Sequence, residues 1–182
     1  PPWGSPVPIS YGFAPASKVA GRCALTLTGG VQCQGWNTYG QLGNGSPGWP
    51  ESSYSRPPPS SGGYAVGVTG LAGGVVDLTA GVGSYCALEN DSTVWCWGTN
   101  NEGQLGDGQS GNVTYSCSQA PEGCTDWRYE SSPIQVVGID DAVSVHQSCA
   151  IRVGGKVSCW GTNTSQRFLA GSTSTVLTPT EI

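Results

Sequence analysis

Cysteines at positions 23, 86 and 149 are separated by two equal steps of 63 residues, and each opens a Cys-x9-Cys segment that closes at Cys33, Cys96 and Cys159. A fixed period of that length marks a repeat architecture, and every other reading has to fit inside it. The second copy is the cleanest. It runs Cys86-Ala87-Leu88 to Val94-Trp95-Cys96-Trp97-Gly98-Thr99-Asn100, then Gly103-Gln104-Leu105-Gly106. The first copy runs Cys23-Ala24-Leu25 to Val31-Gln32-Cys33-Gln34-Gly35-Trp36-Asn37, then Gly40-Gln41-Leu42-Gly43. The third runs Cys149-Ala150-Ile151 to Val157-Ser158-Cys159-Trp160-Gly161-Thr162-Asn163.

Each Cys-x9-Cys segment is predicted to be an antiparallel hairpin with its cysteines opposite one another. Side chains alternate across a strand, so this register sets Leu25 opposite Val31, Leu88 opposite Val94 and Ile151 opposite Val157, all on the cysteine face. One assumption thus yields three matching apolar pairs. The turns between carry turn formers: Thr28-Gly29-Gly30, Asn90-Asp91-Ser92 and Gly154-Gly155. Directly opposed residues lie within disulfide reach. The repeat therefore selects Cys23 with Cys33, Cys86 with Cys96 and Cys149 with Cys159, and leaves Cys117 with Cys124 as a fourth pair. Free thiols or a metal site are the competing reading, but zinc sites usually show closer cysteine pairs and the chain has a single histidine. Disulfides persist in an oxidising compartment, so the chain is expected to be extracellular or at a cell surface.

Beyond the second cysteine, a glycine at 35, 98 and 161 allows a tight turn, and an asparagine at 37, 100 and 163 can hold it by bonding its own backbone. Trp97 and Trp160 neighbour a cysteine in sequence and so point to the opposite face. Both faces of the hairpin are then apolar, and neighbouring repeats are the natural covers. A surface stripe of tryptophans is the alternative.

The pattern Cys-Ala-Leu, turn, Val-x-Cys-Trp-Gly-x-Asn, Gly-Gln-Leu-Gly resembles the repeat of the regulator of chromosome condensation family. Gln34 departs from it at the tryptophan place, and Gln166-Arg167-Phe168-Leu169-Ala170-Gly171 replaces Gly-Gln-Leu-Gly in the third copy. The resemblance implies an all-β chain of β-propeller blades, each a four-stranded antiparallel repeat. The family's propeller has about seven blades. Three blades of about 63 residues make an incomplete propeller or arc. The cysteine-bearing form resembles secreted members of the family rather than the nuclear one.

The 29 glycines, 13 prolines and 10% charged residues suit a turn-rich all-β protein. A net charge of −5, with seven scattered basic residues, excludes binding to a nucleic-acid backbone, which needs a basic patch. No stretch is long and apolar enough for a membrane-spanning helix. The chain starts at Pro1 and lacks methionine, so a processed product or a piece of a longer chain is expected.

The repeats are bounded at 1–63, 64–132 and 133–182. Residues 64–68 and 75–79 read as outer strands of the second repeat, and 133–137 and 142–145 as leading into the third hairpin. A long insertion at 109–132 is closed on itself by Cys117 with Cys124. The ending Thr178-Pro179-Thr180 resembles Ser132-Pro133-Ile134, so the chain is expected to stop where a fourth repeat begins. An open arc leaves unpaired faces at both ends.

Sequons at Asn44, Asn90, Asn112 and Asn163 are candidate N-glycosylation sites. Pro57, Pro58 and Pro59 beside serines are candidate O-glycan sites by analogy with plant and algal wall proteins; a plain solvated linker is the alternative. Trp49 with Tyr54 and Trp127 with Tyr129 are candidate binding loops. His146 lies near Asp140 and Asp141, but no nucleophile motif accompanies it, so no catalytic residue, cofactor or metal is assigned. Asp107, between two glycines, reads as a turn residue rather than a calcium ligand. The expected function is that of an extracellular, glycosylated structural protein, building a cell-surface assembly or filament by end-to-end association. Its partners would be copies of itself or further repeats. The alternative is a secreted propeller-type module that binds another protein, as a receptor or inhibitor.

Overall fold

The computed structural model describes residues 12–46, 64–110, 128–163 and 169–182. Twelve strands form three four-stranded antiparallel sheets. The first contains β1 (Ala16–Ala20), β2 (Cys23–Thr26), β3 (Val31–Cys33) and β4 (Val66–Gly67). The second contains β5 (Val75–Ala80), β6 (Ser84–Glu89), β7 (Val94–Thr99) and β8 (Tyr129–Gln135). The third contains β9 (Ala142–His146), β10 (Cys149–Arg152), β11 (Val157–Gly161) and β12 (Val176–Glu181). Strands follow chain order across every sheet, as in a propeller blade.

The hairpins adopt the register their spacing requires. Cys23 faces Cys33 and Leu25 faces Val31; Cys86 faces Cys96 and Leu88 faces Val94; Cys149 faces Cys159 and Ile151 faces Val157. All three cysteine pairs are bonded, with Cα separations of 4.0, 4.1 and 4.1 Å. Cys117 and Cys124 lie outside the described residues. Each first strand carries a bulge at the same place, at Ser17, Val76 and Val143. The bulge sharpens the local twist of the strand, so all three sheets enter the stack alike.

The outer strands differ from their sequence assignment. Residues 66–67 close the first sheet, not the second, pairing Cys33 with Val66. Residues 129–135 form the last strand of the second sheet, pairing Cys96 with Ile134. The sheets therefore span 16–67, 75–135 and 142–181, and the repeat boundaries at 63/64 and 132/133 cut through blades. Thr178-Pro179-Thr180 does correspond to Ser132-Pro133-Ile134, but because both are last strands of their own blades. Thr180 pairs with Cys159 as Ile134 pairs with Cys96. The loop between third and fourth strands is long, so only tertiary pairing reveals which sheet the fourth strand joins.

The cores lie between blades. One cluster joins the cysteine face of the first blade (Cys23, Leu25, Val31, Cys33) to Leu78, Ala87 and Trp97 of the second. The other joins Cys86, Leu88, Val94 and Cys96 to Val145, Ala150 and Trp160 of the third. Trp97 and Trp160 are fully buried, so they are joint residues and not a surface stripe. Burying such a side chain stabilises by roughly 1.5–3 kcal/mol on transfer grounds. Asp77 adds polar links along the first strands. Its Oδ1 lies 2.6 Å from Lys18 Nζ on the blade before, and its Oδ2 accepts from the Val145 amide at 3.4 Å on the blade after.

Candidate surface for protein binding

The joint between blades is built the same way twice. The Trp97 indole N–H donates to the Gln41 backbone carbonyl at 3.1 Å, and that of Trp160 to the Gln104 carbonyl at 2.9 Å. The loop that receives the ring is held by the recurring asparagine of its own repeat: Asn37 Oδ1 accepts from the Leu42 amide at 2.9 Å, and Asn100 Oδ1 from the Leu105 amide at 3.1 Å. Gly43 then lies directly under Trp97. A Cβ there would stand 2.8 Å from the indole, and its φ of +62° disfavours any other residue. Gly106 sits likewise under Trp160, with a Cβ position 3.0 Å from the ring. Tyr85 stacks on Trp97 with centroids 5.7 Å apart, and its hydroxyl accepts from the Arg22 amide of the first blade at 3.3 Å.

The two ends of the stack are not alike. At the start, Arg22, Gln32 and Gln34 occupy the places that Tyr85, Trp95 and Trp97 hold in the second blade. Val19 pairs with Ala24 as Leu78 pairs with Ala87, yet it is 73% exposed where Leu78 is fully buried. Among the described residues, no blade lies against the cysteine face of the third. Ile151 is 46% exposed, against 5% for Leu25 and 3% for Leu88 in the same place. Val157 is half-buried, and Ile182, whose amide bonds the Val157 carbonyl, is 55% exposed. Neither patch was among the sequence-derived candidates: Ile151 reads in sequence like its buried counterparts, and only the stacking order separates them.

Beside this face, a recess of about 1080 Å³ spans all three repeats, lined by Tyr39, Glu102, Gln104, His146, Thr162 and others. His146 is exposed at its rim, in the tight turn where it pairs with Cys149. Thr162 donates to Glu102 across the recess. Among the described residues, no group of three or more His, Cys, Asp or Glu side chains is placed to hold a metal. No helix among them is long and apolar enough to cross a membrane. Asp107 pairs with the buried Arg128 at 3.1 Å and accepts from the Gln109 amide, while Glu130 meets Arg128 at 3.2 Å. Burial raises the Glu130 carboxyl above its ordinary value; the Arg128 charge opposes this and the Asp107 charge adds to it.

The remaining candidates divide. Asn90 is exposed in the turn between β6 and β7, and Asn44 is half-buried in a turn with its Oδ1 on the Ser46 amide. Asn163 is not a glycan site in this fold: it is fully buried, and its Nδ2 donates to the carbonyls of Leu169 and Ser172 at 3.1 and 2.8 Å. Tyr129 is no loop residue either, being buried in β8 opposite Thr99. Asn112, Pro57, Pro58, Pro59, Trp49, Tyr54 and Trp127 lie outside the described residues.

Residues 75–104 match the family model for the Regulator of chromosome condensation (RCC1) repeat. A chain of the crystal structure of Kap60 bound to yeast RCC1 (Prp20) superimposes with a TM-score of 0.63 at 18% identity, covering 88% of this chain and 34% of that one. Human WBSCR16 gives 0.59 at 20% identity, covering 88% and 36%. Prp20p from Saccharomyces cerevisiae gives 0.59 at 16% identity, covering 88% and 35%. The chain thus spans about a third of the length of the solved structures it matches. Residues 75–104 are thus similar to a regulator of chromosome condensation repeat, the first and third blades share the strand pairing of the second, and the described residues form a run of propeller-type blades, each with a disulfide-bonded hairpin.

Proposed function

We propose that this chain is a non-catalytic protein-binding module of an oxidising, extracellular compartment, working through the uncovered cysteine face of its third blade. The observation that carries this reading is Ile151, exposed at a position that is buried in both preceding blades. An apolar sheet face rimmed by polar residues is the usual form of a protein-docking surface. The three disulfides support the compartment. Two of the similar structures are described by protein partners, Kap60 in one and Gsp1p and histones in the other, which supports protein binding as a use of this fold.

A structural role in a cell-surface assembly is the narrower form of the same reading, favoured by the clasped hairpins and by the exposed sequon at Asn90. End-to-end growth by donation of a terminal strand is not favoured, because β12 already completes its own sheet. A photo-reactive residue placed at Ile151, and another at Val82 as a control on an exposed turn, tests the reading in native secreted material. A protein adduct formed at 151 and not at 82 supports it. Equal or absent labelling at both sites removes it.

A further inference from the structure

We propose that the recess over the two internal joints is a binding site for a neutral, hydroxyl-rich ligand, a short oligosaccharide. This goes beyond the protein-binding reading and does not depend on it, because the residues that carry it sit over the joints and not on the cysteine face of the third blade. Gln41 and Gln104 hold equivalent places in the recess wall. The backbone carbonyl of each receives a joint tryptophan, at 3.1 and 2.9 Å. The side-chain Oε1 of each accepts an amide of its own loop, from Tyr39 at 2.7 Å and from Glu102 at 2.8 Å. Both side chains are thereby fixed, with the acceptor used and the Nε2 donors unpaired among the described residues. Donors already held in one rotamer lose little freedom when a ligand arrives.

The same wall carries a fixed acceptor. Thr162 of the third blade donates to Glu102 Oε2 of the second, which leaves Oε1 open. A sugar hydroxyl both donates and accepts, so neighbouring hydroxyls on one ring suit a wall of amide donors and a carboxylate oxygen. Tyr39 takes in the first blade the place of Glu102 and lines the recess half-buried. An aromatic ring beside a few placed polar groups is the usual make-up of a small-ligand site, and here the ring offers its face to the C–H side of a sugar. The lining holds no Lys or Arg and includes the Glu102 carboxylate, which disfavours an anionic ligand. A peptide strand is disfavoured too: β6, β7, β10 and β11, which border the recess, are each paired on both sides and offer no open edge. At about 1080 Å³ the recess matches the largest small-ligand sites, which suits a chain of sugar rings.

Titration calorimetry of the purified full chain against cello-, manno-, xylo- and galacto-hexaoses tests this, with polygalacturonate as the anionic probe and a pool of neutral peptides as the alternative. Saturable binding of at least one neutral hexaose is expected, with a Kd below about 1 mM. Gln41→Glu and Gln104→Glu each keep the oxygen that accepts the loop amide and replace only the donor. Each should weaken that binding about tenfold while near-ultraviolet dichroism stays unchanged. Gln135→Glu, the same change at an exposed place outside the recess, should leave binding as it is. Absence of binding by every neutral hexaose at about 10 mM overturns the proposal. So does binding that both recess variants leave intact, a preference for polygalacturonate, or binding of the peptides in place of the sugars. None of these outcomes bears on labelling at position 151, so the protein-binding reading stands or falls separately.

Discussion

Trp97 and Gln41 meet across the first joint, indole N–H to backbone carbonyl at 3.1 Å, with the glycine at 43 leaving the ring its space. The acceptor is main chain, so the Gln41 side chain does not enter the contact. What the joint demands is the loop conformation beneath the ring.

Gly43→Ala should therefore be among the most damaging small changes in the chain. It adds a methyl 2.8 Å from Trp97 and 2.9 Å from Val68 at a left-handed backbone position. Left-handed strain and overpacking together suggest a loss of about 2–4 kcal/mol. Urea denaturation followed by tryptophan fluorescence measures it, and Gly70→Ala, where no atom lies within 4 Å, is the control for a glycine in the same conformation but open space.

The three bridges should yield to reductant in a definite order. Cys23, Cys33, Cys86 and Cys96 are buried between blades, whereas Cys149 is half-buried on the free face. Thiol exchange needs access to a sulfur. Alkylation during mild reduction, read by peptide mass, should label Cys149 and Cys159 first. Removing the Cys86–Cys96 bridge by a double Cys→Ser change should cost roughly 2–4 kcal/mol.

Glu130 predicts a pH dependence. Its folded carboxyl holds a proton to higher pH than the unfolded chain does, chiefly because it is buried. Such a group stabilises the fold most at low pH, and its contribution falls as pH rises from the ordinary value of 4.5 through the raised one. Glu130→Gln should flatten the stability profile in that window, so that the wild type loses ground against the variant as pH rises. Denaturation midpoints measured in steps across the window check the sign.

The sequons should behave unequally. Any glycan mass released from the native protein should map to Asn90, which is exposed in its turn, and not to Asn163. Asn163→Gln should leave the glycan mass unchanged while lowering stability by about 1 kcal/mol, since it removes a fully buried amide that bonds the half-buried carbonyls of Leu169 and Ser172. Peptide mass spectrometry before and after deglycosylation separates the two.

The hairpins were legible because cysteine spacing and strand alternation determine register locally: a single assumption placed Leu25, Leu88 and Ile151 opposite Val31, Val94 and Val157. The fourth strands were not, since Val66 and Ile134 are joined to their sheets through contacts that no local pattern encodes. The same limit hid the exposed apolar face of the third blade. Leu88 and Ile151 occupy equivalent places and differ only in whether a described blade packs against them. The polar start of the stack was visible at Gln34, but its meaning appeared only with Arg22 and Gln32 aligned beside it on one face.

Each of the three described bridges clasps a hairpin to itself, and none of them crosses from one sheet to the next. Under a pulling force along the row, the sheets would come apart at their tryptophan seats before any covalent clasp was loaded. The row would thus lengthen stepwise, one joint at a time, with every hairpin still clasped.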